Sequence, residues 1–335
     1  MSKLIDECKN NPIDLIKLQS LIEEKIDVNL KDNNGGTALM YACDKSEVDI
    51  NAIKILLENG SNVNSRSKNG STALIIIFYY EYVDINVIKL LIDYGADVNL
   101  RDNDGWSPLM FECNKNNMNK EVIKLLIDNG ADVNLSDNYG WFALLLVCSH
   151  QSVDIDNVKL LIDNGANVDL KNNDGQSVLI FVCDKYGKID IEILKLLLGR
   201  GADMNLKDNS GKTALMSACG NRTINREIIK LLIKNGADVN LRDNFGRTAL
   251  EFICNNQSID NGLLELLIKN GANFDLMNYD EDIYISYTKN DISKIILSSV
   301  TNKISLKKEN KILKEENYLL KRKVELITNI LNEHF

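Results

Sequence analysis

The chain has 335 residues, with 39 Lys and Arg against 48 Asp and Glu, and its net charge is −9. This acidity argues against binding to nucleic acid phosphates, and the longest apolar run, residues 73–80, is far shorter than the roughly 20 residues that cross a membrane. The first residues lack the pattern of a secretory signal. The only histidines are His150 and His334, which argues against a metal site or an acid/base pair built on histidine. We therefore expect an intracellular, cytoplasmic protein that takes no cofactor and binds neither nucleic acid nor a membrane.

Asparagine is far more abundant than in average proteins, at about one residue in eight. Ile and Lys are also frequent, which is typical of proteins encoded by AT-rich genomes. We interpret the asparagine bias as a mark of the source that carries no chemistry.

Glycines recur every 35 or 36 residues along most of the chain. Each opens a phrase like that of Gly95 to Leu100, and in every copy but the last a second glycine follows ten residues later. The first series is Gly60, Gly95, Gly130, Gly165, Gly201, Gly236 and Gly271, and Lys25 holds the same position in an earlier copy. A fixed period of this length predicts a repeat array, in which each unit packs only against its neighbours.

The predicted array begins with a helix pair, because Ser2 to Cys8 keeps the phase of Thr37 to Cys43. In the later units a hydroxyl residue begins the first helix of each pair; these residues are Thr37, Thr72, Ser107, Ser177, Thr213 and Thr248. Phe142 is the exception, and we expect its helix to be less well capped. Asp or Asn begins the second helix, at Asp49, Asp84, Asn119, Asp154, Asp190, Asn225 and Asp260. The periodic glycine ends that helix, a turn such as Asp102 to Gly105 follows, and residues 283–299 predict a degenerate last pair.

The segments Gly211 to Cys219 and Ile228 to Asp238 together resemble an ankyrin repeat. The resemblance implies an all-α repeat solenoid over residues 1–300, with about nine helix pairs joined by β-hairpin loops. The Asn- and Ile-rich composition is similar to that of ankyrin-repeat proteins from large DNA viruses or AT-rich organisms. Proteins of this family generally bind other proteins through the hairpin tips and the adjoining first helices.

All seven cysteines occupy one position of the repeat: Cys8, Cys43, Cys113, Cys148, Cys183, Cys219 and Cys254. No C-x-x-C pair is present, and packed helices lie too far apart for disulfides between neighbouring units. We expect buried, reduced thiols and no metal site.

After residue 300 the period changes to seven, which predicts a C-terminal coiled-coil helix over residues 301–335. The d positions are Leu306, Leu313, Leu320 and Ile327, and the a positions are Asn310, Asn317, Val324 and Leu331. Asparagine at a positions favours a parallel homodimer in one register. The alternative is that this helix docks on the solenoid or forms a higher-order assembly.

No group of residues matches a catalytic motif, so we expect a scaffold for protein–protein interaction and not an enzyme. An adaptor subunit of a ubiquitin-ligase-type complex is the alternative, and a purely architectural spacer is a third possibility. Aromatic residues favour partner interfaces, and they break the repeat at Trp106, Tyr139, Trp141, Tyr79, Tyr80 and Tyr82. Packing of the two tryptophans on adjacent hairpins is the competing interpretation.

Overall fold

The computed structural model describes residues 3–184, 191–221, 225–254 and 261–273. These residues form sixteen α-helices and no β-strand, which confirms the expected all-α repeat solenoid. The helices are α1 (Lys3–Lys9), α2 (Leu15–Glu23), α3 (Ala38–Cys43), α4 (Ile50–Glu58), α5 (Ala73–Ile77), α6 (Ile85–Asp93), α7 (Pro108–Cys113), α8 (Lys120–Asp128), α9 (Ala143–Ser149), α10 (Ile155–Asp163), α11 (Val178–Asp184), α12 (Ile191–Gly199), α13 (Ala214–Gly220), α14 (Arg226–Lys234), α15 (Ala249–Cys254) and α16 (Asn261–Lys269).

The chain divides into two compact units, Met1–Val178 and Leu179–Phe335. In the first unit, α1, α3, α5, α7 and α9 pack in succession, and α2, α4 and α6 form a second row. In the second unit, α13 packs on α15, while α12, α14 and α16 follow one another. Each unit is therefore built from neighbour contacts between equivalent helices.

The expected caps begin many of these helices. Thr37, Thr72, Ser107 and Thr213 each accept a hydrogen bond from the backbone amide three residues on. Asp49, Asp84, Asn119, Asp154 and Asn225 cap second helices by accepting from the backbone amide two residues on. Phe142 makes no side-chain cap bond at α9, as the sequence predicts, and its ring is instead buried in the core.

Left-handed residues end the second helices. At the end of α6, Gly95 has φ of 86°, its amide donates to Ile92 at 2.8 Å, and the amide of Ala96 donates to Leu91 at 3.0 Å. This pair of bonds closes the helix and satisfies its last carbonyls. Lys25 adopts the same left-handed conformation after α2, with φ of 58°. The conformation is thus kept where the sequence has no glycine, although a side chain makes it less favourable.

The cysteine position lies in the core, as the period predicts. Cys8, Cys43, Cys113, Cys148, Cys183 and Cys219 are all buried, and none forms a disulfide. Burial raises the pKa of the Cys8 and Cys183 thiols to about 12 and that of Cys43 and Cys113 further still. The side chain of Cys254 is outside the part that the structure describes.

The C-terminal predictions also fall outside the described residues. These are the last helix pair at 283–299 and the coiled-coil helix at 301–335, with every candidate dimerisation residue. Within the described ranges, no helix combines the length and the apolar character that crossing a bilayer requires.

Candidate functional site

In most of the turns before first helices, which we call tips, one acidic or amide side chain organises the backbone; in the tip of residues 67–71 the Ser67 hydroxyl accepts from the Ser71 amide at 3.1 Å instead. In the tip Asp102–Trp106, Asp102 Oδ1 accepts from the amides of Asp104 at 3.0 Å and Trp106 at 2.8 Å. The Asp102 amide donates to the Trp106 carbonyl at 3.0 Å, which closes the turn. The same pattern recurs at Asp32, Asp137, Asn172, Asp208 and Asp243. The tips are thus tight turns, with only two isolated antiparallel bridges among the described residues.

Asparagines join several tips to the preceding one. The Asn138 amide donates to the Asp104 carbonyl at 2.9 Å, and Asn138 Nδ2 donates to the Asn103 carbonyl at 2.8 Å. Equivalent side-chain bonds come from Asn103, Asn173 and Asn244. These bonds hold neighbouring tips at a fixed spacing.

A second row of asparagines ties the helix ends of consecutive repeats together. Asn99 Nδ2 donates to the Gly130 carbonyl at 2.8 Å, while Asn99 Oδ1 accepts from the Asp132 amide at 2.7 Å. Asn29, Asn64, Asn134, Asn205 and Asn240 bridge in the same way. The interpretation of the asparagine bias as free of chemistry was therefore wrong, because the amide donates and accepts at once across a repeat boundary.

A groove of about 410 Å³ lies between the tips of residues 32–36 and 67–71. The buried side chains of Met40 and Ile76 line it together with the rings of Tyr41 and Tyr79. Gly36 lines the groove and lies against the Tyr41 ring, since a Cβ at this position would come within 2.7 Å of that ring. The first helices α3 and α5 and their tips therefore enclose a mainly apolar depression with aromatic walls.

Two of the predicted aromatic residues meet beside this groove through Phe111. The Tyr79 and Phe111 rings have centroids 5.4 Å apart at an interplanar angle of 67°, and Trp106 and Phe111 are 5.2 Å apart at 48°. The Tyr79 hydroxyl also shares a short hydrogen bond with Ser71 Oγ. Trp106 is half-buried, so one part of its ring packs and another part faces solvent.

The other predicted aromatic residues have different surroundings. Tyr80 donates to Asp44 Oδ1 at 3.0 Å, and burial, followed by this bond, raises the pKa of its hydroxyl. Tyr82 and Tyr139 are 80% and 68% exposed and stand apart from the Phe111 cluster. Trp141 is half-buried, and its backbone closes the tip with Asp137. Three of the six residues thus lie on tips and three in the turn after α5, with different degrees of exposure.

The charged side chains at the first tip contact one another and the Tyr41 ring. Tyr41 donates to Asp32 Oδ2 at 2.6 Å, while Lys9 Nζ lies 3.5 Å from the same oxygen and 4.4 Å from the centre of the Tyr41 ring. The Tyr41 hydroxyl, ahead of the tip amides, lowers the pKa of Asp32 to about 2. The same bond raises the pKa of Tyr41 to about 12, because ionisation would place two negative charges together.

The buried carboxylates likewise have structural partners. Glu112 Oε1 accepts from the Asn119 amide at 2.6 Å, and Glu112 Oε2 pairs with Lys115 at 3.0 Å. Glu7 accepts from the Asp14 amide at 3.0 Å and pairs with Lys17 at 2.6 Å, and the Lys17 bond lowers the pKa of Glu7. Each carboxylate fixes the start of the following helix. Among the described residues, no group of three or more His, Cys, Asp and Glu side chains could hold a metal ion.

The sequence analysis missed an exposed aromatic residue in the second unit. Phe245 is 77% exposed and occupies the same tip position as Tyr139. The Arg247 guanidinium lies 5.0 Å from the Phe245 ring centre and 4.7 Å from that of Phe252, and Arg247 also pairs with Asp243 at 2.8 Å. An alignment of the tip sequences would have identified Phe245, but only Trp and Tyr were considered as anchors of a partner interface.

Comparison with known proteins gives one family. The family model described as ankyrin repeats (3 copies) matches residues 4–102, 46–137, 109–208 and 179–278. No curated protein matches the chain.

Proposed function

The chain belongs to the ankyrin-repeat family, and on that premise we propose that it is a non-enzymatic scaffold whose partner binds the face made by the tips and first helices of the Met1–Val178 unit. Ankyrin repeats are in general modules of protein–protein interaction. The observation that carries the choice of face is the open groove between two rigid tips, with Tyr79 and Trp106 beside it.

The physical argument for this face is preorganisation. The tips are fixed by backbone, carboxylate and amide hydrogen bonds, so little conformational entropy is lost when a partner binds. The exposed parts of Tyr79 and Tyr139 offer large contact areas with few rotatable bonds, which suits interface anchors. We also propose that the C-terminal helix dimerises the chain, for which the heptad pattern of the sequence is the only support.

The test is capture of a partner by the tagged full chain, followed by identification by mass spectrometry. The variant carries Trp106→Ser and Trp141→Ser, because Ser71 holds this position in a sibling copy. We expect it to melt within a few degrees of the wild type and to lose the captured partner. Each true anchor contributes more than about 2 kcal/mol of binding.

The matched control is Phe245→Ser, which removes an exposed tip aromatic from the other compact unit. Capture by this control should be unchanged. If the double variant unfolds early and keeps its partner per folded molecule, the tryptophans serve packing and the proposed face is wrong.

A further inference from the structure

The groove between residues 32–36 and 67–71 differs from the corresponding spaces at neighbouring repeat junctions. At the preceding junction, Lys9 covers the Tyr41 ring and contacts Asp32. The three corresponding residues at the groove are Asp44, Ile76 and Ser67. At the groove an acid thus replaces the lysine, an isoleucine replaces the tyrosine ring and a serine replaces the carboxylate. These shorter side chains leave the space open.

The following junction is filled in another way. Tyr79 holds the position of Lys9 there, and its ring packs on Phe111, which holds the position of Tyr41. Trp106 closes this cluster from the tip. The chain thus fills the junctions on both sides of the groove with its own side chains.

The second compact unit has a lysine at a position where the groove has a serine. Asp184 holds the same repeat position as Asp44, and Lys212 holds that of Ser71. Lys212 Nζ lies 3.9 Å from Asp184 Oδ1 and 5.5 Å from the centre of the Phe252 ring. A lysine from the tip therefore neutralises the acid in that unit, whereas the short Ser71 side chain cannot do so at the groove.

Asp44 is an exposed carboxylate with one neutral hydrogen-bond donor. Tyr80 donates to Asp44 Oδ1 at 3.0 Å, and within the described residues no cation lies at ion-pair distance from Asp44. Lys68, the cation that lines the groove, belongs to the tip end, whereas Asp44 follows the far end of α3. A carboxylate bordered by tyrosine rings suits a cation that stacks on an aromatic face and pairs with the acid.

From these contacts we infer that the groove receives a lysine or arginine side chain from an extended segment of the partner protein. The aliphatic stem packs on Met40 and Ile76 between Tyr41 and Tyr79, and the cationic head pairs with Asp44. The acidic chain, with its net charge of −9, also favours the approach of a basic segment. This inference rests on the proposed function, since it specifies the chemistry recognised on the same face.

The probe is a library of random dodecapeptides selected on the immobilised full chain. We expect the selected peptides to carry Lys or Arg at one fixed position. Resynthesis with citrulline in place of Arg, or norleucine in place of Lys, keeps the shape and removes the charge. This change should weaken binding about tenfold, the value of one charged hydrogen bond.

Two variants locate the effect in the groove. Asp44→Asn should abolish the difference between the charged and neutral peptides, whereas Asp128→Asn, the same charge change on the exposed end of α8, should leave it intact. Ser71→Lys copies Lys212 and should block binding by pairing with Asp44. Thermal melting of each variant checks the fold.

Several results would overturn the inference: a library that yields no binder, selected peptides without a fixed basic residue, or full discrimination retained by Asp44→Asn. Self-association of the chain that Ser71→Lys abolishes would also overturn it, since the occupant would be a second copy. If partner capture is lost in the Trp106 and Trp141 variant while the peptides show no charge preference, the proposed function stands and only this inference fails.

Discussion

At the scale of single residues, the Asp32 tip shows how an exposed turn acquires a fixed side-chain arrangement. Its carboxylate accepts from two tip amides through one oxygen and from the Tyr41 hydroxyl through the other. Ionised carboxylates are stronger acceptors than neutral groups, so the Tyr41 bond strengthens when Asp32 is charged. The lowered pKa of Asp32 is the electrostatic signature of this arrangement.

Tyr41→Phe should therefore destabilise the protein in a pH-dependent way. The Asp32 pKa is lowered to about 2 in the folded state, so its contribution is complete above the ordinary Asp pKa and is lost as pH falls towards 2. We expect a loss of about 1 kcal/mol at pH 7 that shrinks below pH 4. Urea unfolding at pH 7 and pH 3 measures it, and an equal loss at both values would contradict the assignment.

At the scale of elements, the asparagine bridges connect helix ends across repeat boundaries. A repeat unit makes few contacts beyond its neighbours, so these bonds add directly to the interface between units. A side-chain amide can donate to one backbone carbonyl and accept from one backbone amide at the same time, whereas an ionised carboxylate can only accept. The position is Asn at residues 29, 64, 99, 134, 205 and 240, all of which bridge in this way, and it is Asp at residue 169.

Asn99→Asp tests this requirement. The substitution keeps the acceptor for the Asp132 amide but sets a carboxylate oxygen against the Gly130 carbonyl in place of a donor. We expect a loss of about 1 kcal/mol in unfolding free energy. Asn33→Asp, at an exposed tip residue, makes the same charge change and should have little effect. Equal effects of the two variants in urea titrations would mean that net charge alone is responsible.

The repeat position that the cysteines share leads to a second prediction at this scale, on the reactivity of the thiols. The thiolate is the reactive form; all six described cysteines are buried, and burial raises the thiol pKa of Cys8, Cys43, Cys113 and Cys183. At pH 8 the six described cysteines should react slowly with a mild disulfide reagent, and all seven of the chain should react promptly in urea. Rapid labelling of most thiols in the native protein would show that this position is accessible.

At the scale of the whole molecule, the C-terminal heptads predict a dimer. Asn310 and Asn317 at a positions are best buried against each other in a parallel pair. Light scattering on the full chain should give twice the monomer mass at micromolar concentration, and a version ending at Val300 should give the monomer mass. A monomeric mass in both cases would exclude the dimer. A larger assembly would contradict the parallel pairing inferred from the heptad positions.

The repeat architecture was predictable because its determinants are local. A hydroxyl or acid before a helix, a left-handed residue after it and one core position for cysteine are written within each unit, as Ser107, Gly95 and Cys113 show. Phe142 was even identified as the uncapped start. Sequence position alone could not assign the asparagines, because Asn99 meets its partners about one repeat away, at Gly130 and Asp132.

The sequence by itself determined the repeated unit, its capping residues and its family, since a unit that contacts only its neighbours needs no long-range information. The tertiary structure decided which spaces between units are filled. The groove lies at a junction where Gly36 and Asp44 of one repeat meet Ser71 of the next, and their side chains do not fill the space. Each of these residues is unremarkable in its own copy, and only their packing together brings Asp44 to the edge of an open aromatic groove.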